Sequence, residues 1–274
     1  MVMLLLCDSY GLETSGDVYE NAICKAAHTE DYHTSINIVR LLMSKITSWV
    51  YLESTSESIF MTACLNGNLE LATFIFEHAP FNPTAFMPVG HSYICAVVKN
   101  DHVNIVAYIL SQFHARADSI GDPILELTRA TKLAARRGQL QAFALLWEEP
   151  GMQTMNNWLS EAVQYGQVGI IKFLVDKGLN LSSRHICPDT STSTSCEKAV
   201  IKAVEYGQVS VTEYLLELGV RTHRLRPFFS RYAPCVDYPS REYPRRCQAV
   251  EALLLANNLG PVPEKPVPEK TGGV

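Results

Sequence analysis

Two stretches in the second half of the chain share one pattern of apolar and polar positions. Residues 162–180 read AVQYGQVGIIKFLVDKGLN and residues 203–221 read AVEYGQVSVTEYLLELGVR, so 8 of 19 positions are identical at an interval of 41 residues. In the second copy, Val211 and Leu215 are four residues apart, which places their apolar side chains on one face of a helix. Gly219 follows where helices commonly end in the left-handed conformation. The pattern therefore predicts an amphipathic helix that ends at this glycine.

A second, shorter apolar pattern precedes this helix. Val200, Ala203 and Val204 form another apolar stripe, and Gly207 separates it from the helix that follows. The repeated phrase therefore predicts two antiparallel helices joined by a tight turn, with the small Ala203 where the helices come closest. Because one hairpin cannot bury both of its faces, it needs similar hairpins on either side.

The same pattern of turn and helix occurs elsewhere in the chain. Clear copies are ACLNGNLELATFIFEHA (63–79), VVKNDHVNIVAYILSQ (97–112) and AARRGQLQAFALLWEEPG (134–151), while INIVRLLMSK (36–45) and AVEALLLANNLG (249–260) match one helix each. The equivalent turn positions are Thr34, Gly67, Asp101, Gly138, Gly166 and Gly207, at intervals of 33, 34, 37, 28 and 41 residues. A mean period of about 35 residues predicts a stack of short repeats.

A period of about 33 residues, an Ala-x-x-x-Gly turn and a second helix of the type Val/Ile-Val-x-Leu-Leu resemble the ankyrin repeat family. The resemblance covers roughly residues 20–260 and implies an all-α, ankyrin-like α-solenoid of helix-turn-helix repeats with short projecting loops. The helix starts SIFM (58–61), SYIC (92–95), NWLS (157–160) and AVIK (199–202) lack the Thr-Pro-Leu-His sequence of that family. The histidine hydrogen bond that this sequence makes between repeats is therefore expected to be missing.

This interpretation divides the chain into five segments. They are an N-terminal lead-in (1–19), six degenerate repeats (20–221), an insertion rich in Arg and aromatic residues (222–246), a C-terminal half-repeat (247–260) and a tail (261–274). The tail contains Pro-Val-Pro-Glu-Lys twice, a composition typical of an extended, solvated segment.

Composition narrows the compartment and the class of partner. With 47% hydrophobic residues, 19% charged residues and a net charge of −5, the protein is not a general polyanion binder. The eight Cys form no Cys-x-x-Cys pair, which favours a reduced intracellular protein over a disulfide framework. The apolar start MVMLLLC is too short for a signal peptide or a membrane span. We therefore expect a cytoplasmic or nuclear protein without a membrane partner.

The loops that should project from the stack, at 47–52, 80–91 and 151–158, are unusually apolar. The residues predicted to bind a ligand there are Trp49, Tyr51, Phe81, Phe86, Met87, Met155 and Trp158. If they converge, they would form a cleft for a partner helix or loop, because aromatic and Met side chains dominate many interfaces. A small apolar molecule would suit such a cleft equally well. The alternative is that the loops only pack against each other.

The insertion at 222–246 is the other candidate for binding. Together with Arg221 it contains seven Arg against Asp237 and Glu242. Its binding residues would be Arg224, Arg226 and Arg231, since Arg beside aromatic rings can clamp a carboxylate, a phosphate or a nucleic-acid base. The acidic remainder of the chain makes nucleic acid an unfavourable partner, which leaves an acidic protein segment. The alternative is an irregular insertion that covers the end of the stack.

Catalytic and metal motifs are missing from the sequence. The chain has no G-x-S-x-G, P-loop, G-x-G-x-x-G or H-E-x-x-H motif. The spacing of His185, Cys187, Cys196 and Cys235 matches no compact zinc module, so no metal or cofactor is expected.

Two hypotheses for the function follow. The leading one is a non-catalytic scaffold that binds a protein partner through its concave face and finger loops. The other is a small-molecule pocket on the same scaffold, in which an isomerase or cyclase acts by positioning its substrate. His91 and Tyr93 are the weak catalytic candidates in that case.

Overall fold

The structure is a computed structural model. It describes residues 22, 25–27, 32–43, 52–78, 93–115, 124–152, 157–179, 195–219, 249–250, 252–254 and 256–257. All regular secondary structure in these ranges is helical, and no strand occurs in them. The predicted all-α class is therefore confirmed.

Eleven helices have defined bounds within the described ranges. They are α1 (Tyr32–Met43), α2 (Leu52–Asn66), α3 (Leu69–His78), α4 (Tyr93–Lys99), α5 (Val103–Ala115), α6 (Ile124–Arg137), α7 (Leu140–Trp147), α8 (Asn157–Gln164), α9 (Val168–Asp176), α10 (Ser195–Glu205) and α11 (Val209–Glu217). Further helical residues lie at 22, 25–27, 249–250, 252–254 and 256. We call α2, α4, α6, α8 and α10 the first helices of their hairpins, and α3, α5, α7, α9 and α11 the second helices.

Each first helix ends in a turn whose central residue has a positive φ. The turn residues are Gly67 (φ 76°), Asp101 (61°), Gly138 (72°), Gly166 (76°) and Gly207 (63°). At the turn after α8, the amide of Gln167 donates to the carbonyl of Ala162 at 2.8 Å and that of Gly166 to Val163 at 3.2 Å. This Schellman pattern satisfies carbonyls that the end of a helix leaves unpaired. These five predicted turns are present in the structure.

The sixth predicted turn position is wrong. Thr34 lies in the first turn of α1 and does not separate two helices. A β-branched residue is disfavoured at positive φ, so Thr34 cannot take the role that Gly and Asp have at the other turns. The assignment of α1 itself as a second helix agrees with its packing, because α1 contacts α3.

The chain divides into two compact units. Unit 1 comprises residues 1–134 and 141–155, and unit 2 comprises residues 135–140 and 156–274. In unit 1, α2 packs against α4, and α3 packs against α1 and α5. In unit 2, α8 packs against α10, and α9 packs against α11. Within each unit, first helices therefore contact first helices and second helices contact second helices.

The core of unit 2 consists of the apolar stripes seen in the sequence. Val211 and Leu215 of α11 are fully buried, as are Ile170 and Ile171 of α9. Ala203 is also fully buried, and its small side chain lets the two helices of its hairpin approach closely. The stripes predicted for the repeated phrase are therefore confirmed.

One side-chain hydrogen bond recurs between neighbouring hairpins. The bonds are His102 Nε2 to Leu65 O at 3.0 Å in unit 1, and Gln167 Nε2 to Arg136 O at 3.0 Å and Gln208 Nε2 to Gln164 O at 2.8 Å in unit 2. Each donor directly follows a turn residue, and each acceptor lies two residues before the turn of the preceding hairpin. The hairpins are therefore linked from a position that the missing Thr-Pro-Leu-His sequence does not involve.

The turn glycine also makes room for the linking side chain. A Cβ added to Gly67 would lie 2.7 Å from the ring of His102, and a Cβ added to Gly166 would overlap the side-chain amide of Gln208. Glycine is thus required at Gly166 for its positive φ and for the close approach of the next hairpin.

Candidate functional site

Most of the residues predicted to bind or to react lie outside the described residues. They are Trp49, Tyr51, Phe81, Phe86, Met87, His91, Met155, Arg224, Arg226 and Arg231. Trp158 is described, and it is only 2% exposed on α8. Its indole therefore belongs to the core and offers little surface to a partner, because the helix turns it inward.

Tyr93, at the start of α4, is also buried. Its hydroxyl donates to Glu57 Oε1 at 2.6 Å, and its ring packs edge-on to Phe60 with 5.4 Å between the ring centroids. Burial and the hydrogen bond to Glu57 both raise the pKa of the Tyr93 hydroxyl. A phenol that keeps its proton in this way is poorly suited to acid–base chemistry near neutral pH.

The helices α1 and α3 border an open groove of about 520 Å³ in unit 1. Its lining consists of Ile36, Arg40, Leu69, Glu70, Thr73, Phe74, Glu77 and His78. The guanidinium carbon of Arg40 lies 5.1 Å from the ring centroid of Phe74, and the ring of His78 stacks on Phe74 at 4.7 Å. The protein's own side chains thus cover the aromatic ring, and none of the predicted binding residues lines the groove.

In unit 2, α8 receives a cationic side chain from each neighbouring first helix. Arg136, in the last turn of α6, donates through Nε to Glu161 Oε2 at 2.7 Å. Lys202 of α10 donates through Nζ to Ser160 Oγ at 2.7 Å. Within unit 2, two adjacent residues of α8 therefore each accept a hydrogen bond from a cationic side chain.

Each of these cations also lies over a tyrosine ring. The guanidinium carbon of Arg136 is 5.3 Å from the ring centroid of Tyr165, and Nζ of Lys202 is 5.8 Å from that of Tyr206. Both distances are within the range of cation–π attraction. We call this set the tyrosine face, and it consists of Arg136, Ser160, Glu161, Tyr165, Lys202 and Tyr206.

The two tyrosines occupy equivalent positions, because each directly precedes the glycine of a turn. Tyr165 is 43% exposed, and its hydroxyl forms no hydrogen bond within the ranges that the structure describes. The ring therefore presents an apolar surface and a polar tip to solvent, although the cation holds it in place.

Sequence reasoning missed the tyrosine face. The phrase Tyr-Gly-Gln-Val occurs at 165–168 and 206–209, but it was interpreted as a sign of the fold alone. Gly is explained by the turn and Gln by the bond between hairpins, whereas the Tyr, which is exposed at 165 and half-buried at 206, serves neither purpose. The signal in the sequence was the identical Tyr that directly precedes the glycine of both turns.

Charge is distributed unevenly over the tyrosine face. The carboxylate of Glu161, which is 13% exposed, neutralises Arg136 at 2.7 Å. This hydrogen bond raises the pKa of the Arg136 guanidinium, which stays protonated. Lys202 instead bonds to the uncharged hydroxyl of Ser160. Of the two cations of the tyrosine face, Lys202 is therefore the one without an ion pair in the described ranges.

Neither family models nor curated proteins match this chain. None of the helices in the described ranges has the length and apolar character needed to cross a membrane. No group of three or more His, Cys, Asp and Glu that could hold a metal occurs in the same ranges.

Proposed function

We propose that this protein is an ankyrin-like repeat scaffold that binds a protein partner through the tyrosine face. The observation that carries the proposal is the pair of Tyr165 and Tyr206, which occupy equivalent positions in two hairpins and lie beneath cations. In stacked helical repeats, exposed side chains of corresponding helices line up along a surface that a partner can follow.

The chemistry of the tyrosine face favours a protein as its ligand. Tyr and Arg are enriched among the few residues that supply most of the energy of an interface. A Tyr ring offers a large contact area with only two rotatable side-chain bonds. Arg136 and Lys202 further restrict these rings through the contacts at 5.3 and 5.8 Å, so less conformational entropy is lost on binding.

The ankyrin-like arrangement is supported by packing within each unit. The same hydrogen bond between hairpins occurs in both units, and like helices pack against like helices. These are the nearest-neighbour contacts on which a repeat stack depends. Most residues of the finger loops, which are predicted to contribute to the binding surface, lie outside the described residues, and Trp158 is buried.

Affinity capture with variant proteins tests the proposal. Purified wild type, the double variant Tyr165→Ala/Tyr206→Ala and the control Tyr214→Ala are each incubated at low salt with extract from the native source. Tyr214 is a matched control, because it lies on the second helix α11 with Lys172 Nζ 5.3 Å from its ring centroid. Quantitative mass spectrometry then measures the bound proteins, and circular dichroism confirms that each variant is folded.

We expect a stoichiometric protein partner that the wild type and Tyr214→Ala retain and that the double variant loses. A loss of about tenfold or more in affinity is expected, because each truncated hot-spot Tyr costs more than about 1 kcal/mol. Equal capture by the double variant would place binding elsewhere on the protein. A small-molecule adduct in native mass spectrometry, without any protein partner, would favour the pocket hypothesis instead.

A further inference from the structure

A second lysine on α10, Lys198, lies one helical turn before Lys202 of the tyrosine face. Lys198 and Lys202 are at positions i and i+4, which places their side chains next to each other on the helix surface. Neither lysine forms an ion pair within the ranges that the structure describes. Adjacent like charges without a carboxylate partner repel each other, and binding of an anionic group would relieve this repulsion.

Lys202 is held in position before any partner binds. Its ammonium group donates to Ser160 Oγ at 2.7 Å and lies 5.8 Å from the ring centroid of Tyr206. Only one of its three N–H donors is used by this hydrogen bond. A carboxylate that approaches from solvent therefore meets a positioned cation with free donors.

Arg136 on the other side of α8 differs in this respect. Glu161 already neutralises Arg136 at 2.7 Å, so Arg136 attracts a further anion only weakly. Its main role at the tyrosine face is to hold the ring of Tyr165 in place. The side chains that can attract a negative group at this face are therefore Lys198 and Lys202.

We infer that the partner presents an acidic segment, whose Asp or Glu side chains meet Lys198 and Lys202 while its neighbouring residues cover the two tyrosines. This inference rests on the proposed function, since it names the chemistry of the protein segment that the tyrosine face receives. Electrostatic complementarity of this kind contributes mainly specificity and association rate.

Fluorescence anisotropy with synthetic peptides tests the inference without knowledge of the partner. The probes are fluorescein-labelled 12-residue peptides of alternating Glu and Ala, and the same peptide with Gln in place of Glu. They are titrated with full-length wild type, Lys198→Gln/Lys202→Gln, Lys198→Arg/Lys202→Arg and Lys172→Gln/Lys177→Gln. The last variant is a control, because it also removes two positive charges. Like Lys202, Lys172 and Lys177 lie over aromatic rings, at 5.3 and 5.5 Å.

We expect the Glu peptide to bind more tightly than the Gln peptide. Lys198→Gln/Lys202→Gln should weaken its binding by about fivefold, as the loss of two exposed ion pairs implies, and added salt should weaken it as well. The Arg variant and the Lys172→Gln/Lys177→Gln control should bind like wild type. Equal affinity for both peptides, or equal losses in the two Gln variants, would overturn the inference.

The two proposals fail in different experiments. If the peptide result is as expected but no protein is captured through the tyrosines, the proposed function fails while the preference for acidic segments stands. If a partner is captured and depends on the tyrosines, but the peptides do not distinguish the variants, only the acidic character of the segment is refuted.

Discussion

Replacing Gly166 with Ala should destabilise unit 2 for two separable reasons. Gly166 has a φ of 76°, and an L-residue in the left-handed region costs about 1 to 2 kcal/mol. The added Cβ would also overlap the side-chain amide of Gln208. Because this amide donates to Gln164 O at 2.8 Å, moving it away breaks the bond between neighbouring hairpins.

The expected magnitude follows from adding the two effects. Loss of one hydrogen bond contributes about 1 kcal/mol net, so Gly166→Ala should lower the free energy of unfolding by about 2 to 3 kcal/mol. Gly219→Ala is the matched control, because its φ is 74° and no heavy atom lies within 4 Å of the added Cβ. It should cost only the conformational part, about 1 to 2 kcal/mol.

Urea unfolding followed by Trp158 fluorescence measures this difference. Trp158 is 2% exposed in unit 2, and Trp49→Phe/Trp147→Phe removes the other indoles of the chain. In a Gln208→Ala background, Gly166→Ala has no side-chain amide to displace and should cost no more than Gly219→Ala. Equal costs for the two glycines in the wild-type background, or a cost of Gly166→Ala that Gln208→Ala does not change, would refute the reasoning.

Three further predictions concern unit 1. His102→Gln should keep the hydrogen bond to Leu65 O, as Gln does in unit 2, and lower the free energy of unfolding by less than about 0.5 kcal/mol. His102→Ala should lower it by about 1 kcal/mol, as measured by urea unfolding. Equal losses in the two variants would contradict this prediction. The pKa of the Tyr93 hydroxyl is raised in the folded protein. The protonated hydroxyl therefore makes its full contribution to the free energy of unfolding below about pH 10, and this contribution decreases at higher pH. Urea unfolding at a series of pH values should show that decrease in wild type and a smaller one in Tyr93→Phe. Burial raises the pKa of the Cys64 thiol, so iodoacetamide should leave Cys64 unmodified until the protein unfolds. Peptide mass spectrometry measures this labelling. Rapid labelling of Cys64 in the native protein would contradict its burial.

The success of the predicted turns and the failure at Thr34 have the same origin. A turn at positive φ needs a residue that tolerates this conformation, and Gly207 and Asp101 meet the requirement with φ of 63° and 61°. Thr34 was assigned from spacing alone and meets no such requirement. Repeat intervals therefore predict a turn only where the residue itself can adopt it.

The binding residues were harder to predict because exposure depends on the rest of the structure. The sequence predicts that an aromatic residue in a loop faces a ligand, yet Trp158 is the second residue of α8 and has 2% of its surface exposed. Tyr165 belongs to the repeated phrase, but nothing in the repeat indicates that its ring is 43% exposed. Aromatic character alone does not separate the core from the surface.

The sequence by itself determined the all-α class, the apolar stripes of the hairpins and five of their turns. These features depend on residues close together in the chain, since helical period and φ are local properties. Only the tertiary structure decided which side chains meet across hairpins. Gln208 and Gln164 are 44 residues apart, Lys202 and Ser160 are 42 apart, and Arg136 and Glu161 are 25 apart. Their contacts, and with them the tyrosine face, exist because helices that are distant in sequence pack side by side, and no local pattern encodes that distance.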